Sequence, residues 1–196
     1  MTQENITSKN GNNKIWWIVG AVTIVVIMWG ISTYNNLVRM QGAVDNAWAQ
    51  VENNLKRRYD LIPNLVSTVK GYANHEEEVF TQIAEARSKL NGATTVEDKA
   101  AASNQLEAGL GRLLAISESY PELKADQSFL SLQDELAGTE NRLAVSRKDY
   151  NDTTTSYNIR IRTFPTNLIA GLMGAGQRDL FTISQTEAQN VVVSFD

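Results

Sequence analysis

Hydrophobic residues form one continuous apolar run near the N-terminus and several periodic stripes after it. The run covers residues 15–31, IWWIVGAVTIVVIMWGI, in which Thr23 is the only polar side chain. Extended to Tyr34 it holds 20 residues, which as a helix rise about 30 Å, the thickness of the hydrocarbon core of a bilayer. The run therefore predicts one transmembrane helix over residues 15–34.

Aromatic side chains mark both ends of this segment. Amphipathic rings favour the headgroup region, and four of them flank the run: Trp16, Trp17, Trp29 and Tyr34. A cleaved signal peptide is one alternative, but its apolar part usually has about 7 to 15 residues. A buried core helix is another, but its Ile, Val and Trp residues would need protein on all sides. We expect an uncleaved anchor, with polar residues 1–14 as a short flexible tail.

Basic residues near the segment indicate its orientation. Lys9 and Lys14 precede it, whereas within about 18 residues after it only Arg39 follows. Since basic flanks stay in the cytoplasm, the tally favours a cytoplasmic N-terminus and a main domain outside the cytoplasm. The run Lys56-Arg57-Arg58 lies slightly beyond this window, and including it would reverse the orientation.

Apolar stripes of helical period after the segment predict long helices. The first stripe begins at Val44 and reaches Leu90, where we expect the helix to end. Pro63 lies inside it and predicts a kink or break, because proline lacks the N–H of the helical hydrogen bond. Asn91-Gly92 and Thr94-Thr95 then predict a stop and a new cap.

The second helix is expected to end at Pro121. Its Gly109 and Gly111 indicate a close approach to a neighbouring helix. Pro165 closes the third helix and can start a short one over residues 167–173, stopped by Gly174 and Gly176.

The third helix has the most regular pattern, with six residues each seven apart: Phe129, Leu136, Leu143, Tyr150, Tyr157 and Phe164. A strict seven-residue repeat predicts a helix of about 35 residues that supercoils along partners, as in coiled coils and antiparallel bundles. The predicted fold class is all-α: the transmembrane helix, an antiparallel bundle of long helices over residues 35–179, and a short apolar tail over residues 180–196. We expect the tail to pack on the bundle or on a neighbouring subunit.

The composition removes most catalytic chemistry. The chain has no Cys and one His, which excludes disulfides, thiolate or multi-His metal sites and Cys nucleophiles. The sequence from His75 resembles the zinc motif H-E-x-x-H but has Val79 in place of the second His. Neither a G-x-S-x-G motif nor a glycine-rich phosphate loop occurs. We expect no enzyme activity, no cofactor and no metal.

Charge argues against a nucleic-acid partner. After the anchor there are 16 Lys and Arg against 21 Asp and Glu, and nucleic-acid binding normally needs a clustered basic surface. The run Lys56-Arg57-Arg58 is typical of a solvated helix face or, near a membrane, of contact with anionic lipid headgroups.

Some charged groups lie near the apolar stripes: Arg58, Asp60, Glu140, Arg147 and Asp149. Buried charges must pair, so these groups predict interhelical salt bridges. The alternative is ordinary surface pairs worth about 0 to 1 kcal/mol.

The hydroxyl groups of residues 153–156, TTTS, are expected to bond carbonyls one turn back, with a polar groove as the alternative.

Three stretches carry a resemblance to a known family: RRYDLIPNLVSTVKGYANHEEEVF (57–80), YPELKADQSFLSLQDELAGTENRLAVSRKDYN (120–151) and YNIRIRTFPTNLIAG (157–171). With YNNLV (34–38) before them, they resemble the LemA family of bacterial membrane proteins. The resemblance implies one N-terminal transmembrane helix in the bacterial inner membrane and an antiparallel bundle, with no established activity or cofactor. It implies a structural or adaptor role, in some members tied to organelles such as magnetosomes.

Family-motif positions map onto ten residues: Asp60, Pro63, Asn64, Glu140, Asn141, Arg147, Tyr150, Asn151, Phe164 and Pro165. The TTTS stretch departs from the more charged and aliphatic helix that is common in the family at that place.

The anchor, the seven-residue stripe and the apolar tail favour a membrane-anchored scaffold that contacts lipid and assembles laterally as a homo-oligomer. Two alternatives remain open. One is an adaptor or regulatory subunit of another membrane protein, such as a protease. The other is a ligand-sensing bundle with the TTTS stretch as its groove.

Overall fold

The computed structural model describes residues 11–73 and 75–182, with side chains from residue 15 onward. Over these ranges the protein is all-α, as predicted. Its helices are α1 Gly11–Lys70, α2 Glu77–Gly92, α3 Val96–Ser117, α4 Pro121–Lys124, α5 Gln127–Arg162 and α6 Thr166–Met173. The expectations for residues 1–10 and 183–196 fall outside the described residues.

Helix α1 is a single helix of 60 residues, which corresponds to a length of about 90 Å. It begins at Gly11, so residues 11–14 of the expected flexible tail are already helical. It also continues past Tyr34 without interruption, so the apolar segment and the first bundle helix are one element. The bundle is therefore joined to the apolar segment by helix rather than by a linker.

The expectation that the first long helix ends near Leu90 was wrong, and of the kink or break expected at Pro63 the break does not occur. α1 runs through Pro63 and ends at Lys70, and α2 is a separate helix. Pro63 is exposed, so the carbonyl that it leaves unpaired can reach water. The chain reverses after Gly71, where the amides of residues 71–73 bond back to the carbonyls of Thr68 and Val69.

The four long helices form two antiparallel pairs that pack as layers. α1 pairs with α5, since Gln41 lies opposite Tyr157 near one end and Tyr72 opposite Asp126 at the other. α2 pairs with α3 in the same manner, with Lys89 opposite Gln105. The layers meet where Arg87 of α2 stacks on Tyr59 of α1, 4.0 Å from its ring centroid. A further contact between them is the ion pair of Glu52 with Lys99.

Seven-residue stripes supply the core of the long pair. The α5 stripe is buried at its first five positions, Phe129, Leu136, Leu143, Tyr150 and Tyr157. Its sixth member, Phe164, lies beyond the end of α5 and is 76% exposed. Pro165 disfavours helical geometry for the residue before it, so including Phe164 in the buried stripe was wrong.

Close packing and capping follow the sequence in three places. A Cβ on Gly109 would lie 3.0 Å from Cγ1 of Ile83, the close approach that was predicted, whereas one on Gly111 would meet nothing within 4 Å. Thr95 caps α3 by accepting the amide of Asp98 at 3.0 Å. α6 stops at Gly174, whose φ of 65° suits glycine.

Candidate functional site

The apolar segment of α1 presents its side chains outward. Within the helix over residues 15–70, the most apolar window has a mean hydropathy of 2.1 and none of its residues is buried by the protein. Trp16 and Trp17 are exposed, and Trp29 and Tyr34 are partly covered. The segment is long and apolar enough to cross a membrane, and it is a candidate membrane span.

Arg58 occupies a core position of α1. Leu37, Val44, Val51, Arg58 and Leu65 are each seven residues apart, and all are buried. The guanidinium group of Arg58 forms an ion pair across the helix pair with Glu140 of α5. A core position is thus filled by a charged group with a counterion on the facing helix.

Arg147 extends this pair into a small network. Its guanidinium lies 3.9 Å from Glu140 and 4.0 Å from Glu107 of α3, and it donates a 2.7 Å hydrogen bond to Ser103. Burial lowers the pKa of both Arg58 and Arg147, because a low-dielectric interior disfavours the charged form. The network joins α1, α3 and α5, and we call it the ion cluster (Arg58, Ser103, Glu107, Glu140 and Arg147).

The other charged candidates do not join the ion cluster. Asp60 is exposed and pairs with Lys56 one turn earlier on α1. Asp149 is exposed and lines a groove on the surface of the α1–α5 pair, together with Asn141. Pro63 and Asn64 are exposed on α1.

The basic run Lys56-Arg57-Arg58 is divided by its surroundings. Lys56 and Arg57 pair with Asp60 and Glu135, and Arg58 is buried. The run lies about 33 Å along the helix axis from Tyr34. This distance from the apolar segment and the pairing of Lys56 and Arg57 with carboxylates favour the solvated helix face over a lipid contact.

A C-terminal segment, which we call the strap (residues 174–182), lies along α5 and is fixed by side-chain amides. Asn151 donates to the carbonyl of Phe181 at 2.9 Å and accepts the amide of the same residue at 2.8 Å. Asn158 makes the same pair of bonds to Arg178, at 2.8 and 2.9 Å. Each asparagine side chain therefore satisfies both backbone polar groups of one strap residue.

The spacing of these two contacts matches the geometry of the elements. Asn151 and Asn158 are seven residues apart, or about 10.5 Å along a helix. Phe181 and Arg178 are three residues apart, or about 10 Å along an extended chain. An extended strap can therefore meet both asparagines without distortion.

Tyrosine hydroxyls add to the attachment of the strap. Tyr150 donates to the carbonyl of Asp179 at 2.7 Å, and Tyr157 contacts the carbonyl of Gly176 at 3.2 Å. Burial raises the pKa of Tyr150. The phenol is therefore a neutral donor at physiological pH.

Phe181 connects the strap to the ion cluster. Its ring lies 4.9 Å from the guanidinium carbon of Arg147 and 6.3 Å from the ring of Trp48. Phe181 is buried, as expected for the apolar tail, whereas Leu180 is 38% exposed. The strap and the ion cluster form one continuous structural unit.

The hydroxyl-rich stretch does not form a single surface. Thr154 is fully buried, whereas Thr155 and Ser156 are exposed, and Ser156 donates to the carbonyl of Asp152 at 2.9 Å. Among the residues that the structure describes, no group of three or more His, Asp or Glu side chains is placed to hold a metal ion. What the site can do chemically is hold helices in register through paired charges.

The family model described as "LemA family" matches residues 47–195, which include α5, the ion cluster and the strap. The chain belongs to the LemA family. The protein named Protein LemA from Metamycoplasma hominis is 28% identical over 191 residues, covering 94% of this chain and 85% of the relative.

Two magnetosome proteins are also similar. Magnetosome protein MamQ 2 of Paramagnetospirillum magneticum is 26% identical over 174 residues, and this chain spans 64% of that protein's length. Magnetosome protein MamQ of Magnetospirillum gryphiswaldense is 24% identical, with 82% of this chain and 70% of the relative covered. Membership of the family and the similarity to these relatives indicate a membrane-associated helical protein.

Sequence reasoning missed two contacts. One is the pair of bonds from Asn158 to the strap, and the other is the hydrogen bond that Ser103 accepts from Arg147. Asn158 had a signal, because it repeats Asn151 after seven residues on the same face of α5. Ser103 had none, since a small hydroxyl residue in an alanine-rich stretch does not reveal which helix faces it.

Proposed function

We propose that this LemA-family protein is a non-enzymatic, single-pass scaffold that assembles laterally with itself in the bacterial inner membrane, with its bundle outside the cytoplasm. The observation that carries the proposal is the continuity of α1 from Gly11 to Lys70. An unbroken helix holds the bundle at a fixed height and angle relative to the span. Neighbouring copies then present the same faces at the same level, which favours a repeated contact.

The outer groove of the α1–α5 pair supports this proposal as the contact surface. It lies between the two helices and is lined by Asn46, Ala47, Gln50, Asn54, Asn141, Arg142, Val145, Ser146 and Asp149. Gln50 lies about 200° around α1 from Glu52, which contacts the α2–α3 layer. The groove therefore opens away from that layer, towards any neighbour in the membrane plane.

The chemistry of the groove suits contact between copies. Val145 is 60% exposed on its wall, and Asn and Gln side chains surround it with donors and acceptors. Mixed apolar and amide surfaces of this kind are common in protein interfaces. Two relatives are named magnetosome proteins, which supports a role tied to a cellular structure.

Light scattering of the full-length protein, extracted with its lipids into polymer-bounded discs, tests self-assembly. The scaffold predicts a mass of several copies.

Because the chain has no Cys, a single thiol can then locate the contact. We expect Val145→Cys to form a disulfide-linked dimer in membranes and the matched variant Ala108→Cys, exposed on α3, to remain monomeric.

A uniform monomer in the discs, with no crosslink from either thiol, would overturn the scaffold and favour the adaptor role. A large assembly with crosslinking only through Ala108→Cys would keep the scaffold but move its contact surface from the groove to α3.

A further inference from the structure

Helix α6 lies beside the end of the apolar segment of α1. Cδ1 of Ile169 is 4.0 Å from the position that a Cβ on Gly30 would occupy. Thr33 and Leu37 follow Gly30 on the same face of α1, and both are buried. α6 is thus located where the span meets the bundle, at the level expected for lipid headgroups.

One face of this region is apolar and uncovered. Phe164, Leu168 and Leu172 are four residues apart and are 76%, 58% and 86% exposed, whereas Thr166 and Ala170 on the other face are buried. Large apolar side chains grouped in this way on a protein surface mark an interaction site. Ile27, Ile31 and Tyr34 of α1, which lie on either side of Gly30 in the sequence, are also exposed.

Basic residues predominate at this end of the molecule. Residues 15–44 and 153–178 contain no Asp or Glu but four Arg, in a chain whose net charge is −4. Arg178 pairs with Asp45, and Arg39, Arg160 and Arg162 are exposed. An apolar face edged by arginine is complementary to an anionic membrane surface.

We propose that α6 and the preceding turn are a second membrane contact, in which Phe164, Leu168 and Leu172 enter the interface of the bilayer and Arg160 and Arg162 bind anionic phospholipid headgroups. The occupant is the bilayer because α6 packs beside Gly30 of the apolar segment and exposed arginines lie at the same end of the molecule. The contact seats the membrane-proximal end of the bundle on the lipid surface. This membrane contact does not depend on self-assembly, because each chain carries the whole contact surface.

Site-directed fluorescence tests this contact. Full-length Leu172→Cys, labelled with a polarity-sensitive dye, is placed in nanodiscs of phosphatidylcholine alone or mixed with phosphatidylglycerol, with or without brominated acyl chains. We expect a blue shift and quenching by the brominated lipid at position 172. The matched control, Leu130→Cys at the far end of α5, should show water-like emission and no quenching.

The basic half of the proposal has its own readout. The blue shift at position 172 should increase with phosphatidylglycerol, and Arg160→Gln together with Arg162→Gln should remove that increase. Each arginine near an anionic surface contributes about fivefold in binding. Arg112→Gln together with Lys89→Gln, at exposed positions of α3 and α2, removes the same number of charges and serves as the control.

Three results would overturn the proposal. Water-like emission at position 172 in all discs would leave α6 off the membrane. A blue shift without quenching by brominated lipid would mean that protein, a second copy or a partner, covers the face. An unchanged lipid dependence in the double arginine variant would exclude the headgroup contact.

Discussion

Arg58, Glu140 and Arg147 lie at positions where the seven-residue repeat of the long helices would otherwise place hydrophobic side chains. Arg58 continues the stripe through Val51, and Arg147 lies between Glu140 and the buried Thr154 at the same spacing. Buried ion pairs add little stability over apolar residues of similar size, but they penalise any alignment that separates the charges. We infer that the ion cluster sets the register of α5 against α1, the role that polar core residues have in coiled coils.

Replacing Glu140 by Gln tests the energetic weight of the ion cluster. The variant leaves two buried guanidinium groups without their shared counterion, and we expect a loss of about 3 kcal/mol in the free energy of unfolding. The measurement is urea denaturation of the full-length protein in mild detergent.

The matched control is Glu135→Gln on the same helix. Glu135 pairs with Arg57, and both side chains are about half exposed. We expect this variant to lose less than about 1 kcal/mol. Equal losses in the two variants would mean that burial of the ion cluster has no energetic consequence.

The glycines of α3 allow a second test at single residues. Gly111→Ala should stabilise the protein by about 0.5 to 1 kcal/mol, because alanine favours helix and the position is open. Gly109→Ala should give none of this gain, because its methyl group would press on Ile83, which is buried. Thermal unfolding of the two variants compares them, and an equal rise in both melting temperatures would contradict the close contact.

Sequence alone could identify the charged residues near the stripes but not their partners. The repeat of seven shows which face a residue occupies on its own helix. Whether Arg58 or Asp60 meets α5 depends on the rotation and register of two helices relative to each other. Those quantities depend on contacts between residues about 80 positions apart.

Among the elements, the strap is the least expected feature. It has no regular secondary structure, and most of its attachment comes from four side chains of α5: Tyr150, Asn151, Tyr157 and Asn158. It also places Phe181 against Arg147 and Trp48. The strap therefore covers one end of the ion cluster, and its release would open this side of the bundle to water.

The variant Asn151→Ala tests the attachment. It removes both side-chain bonds to Phe181, each worth about 1 kcal/mol, so exchange of the Phe181 amide hydrogen should accelerate by about tenfold or more. Hydrogen exchange followed by mass spectrometry measures it. Asn141→Ala, at an exposed position of the same helix, is the control, and equal exchange in both variants would show that Asn151 does not hold the strap.

Element boundaries show a similar limit of sequence reasoning. The apolar period continues in phase from α1 into α2, so the pattern alone gave one helix to Leu90. The only sequence signal for the reversal after α1 was Gly71. As an indication of a helix end, a single glycine is weaker than the proline at position 63, where the helix in fact continues. At Asn91-Gly92 and Thr95, where the stop and the cap stand next to each other, the boundary was predictable.

The whole molecule combines a candidate membrane span with a bundle through one continuous helix, and the expected orientation rests on few charges. Since Lys9 and Lys14 outnumber Arg39 near the span, we expect the bundle outside the cytoplasm. The single thiol of Ser119→Cys, exposed in the turn after α3, should react with a membrane-impermeant maleimide in intact cells with a permeabilised outer membrane.

Removing the two lysines checks the cause of the orientation. Lys9→Gln with Lys14→Gln should reduce labelling of the same thiol, because the charge bias is then reversed. Labelling after lysis measures the total protein. A thiol that reacts only after lysis in the parent chain would place the bundle in the cytoplasm.

Because α1 is unbroken, a change in the tilt of its apolar segment moves the far end of the bundle. Between Tyr34 and Lys70 the helix extends about 54 Å, so a change of 10° in the tilt of the span moves the far end by about 9 Å. Spans tilt to match bilayer thickness, with an average near 20°. A thinner or thicker membrane would thus change the separation between the tips of neighbouring bundles, and the spacing of an array would report local bilayer thickness.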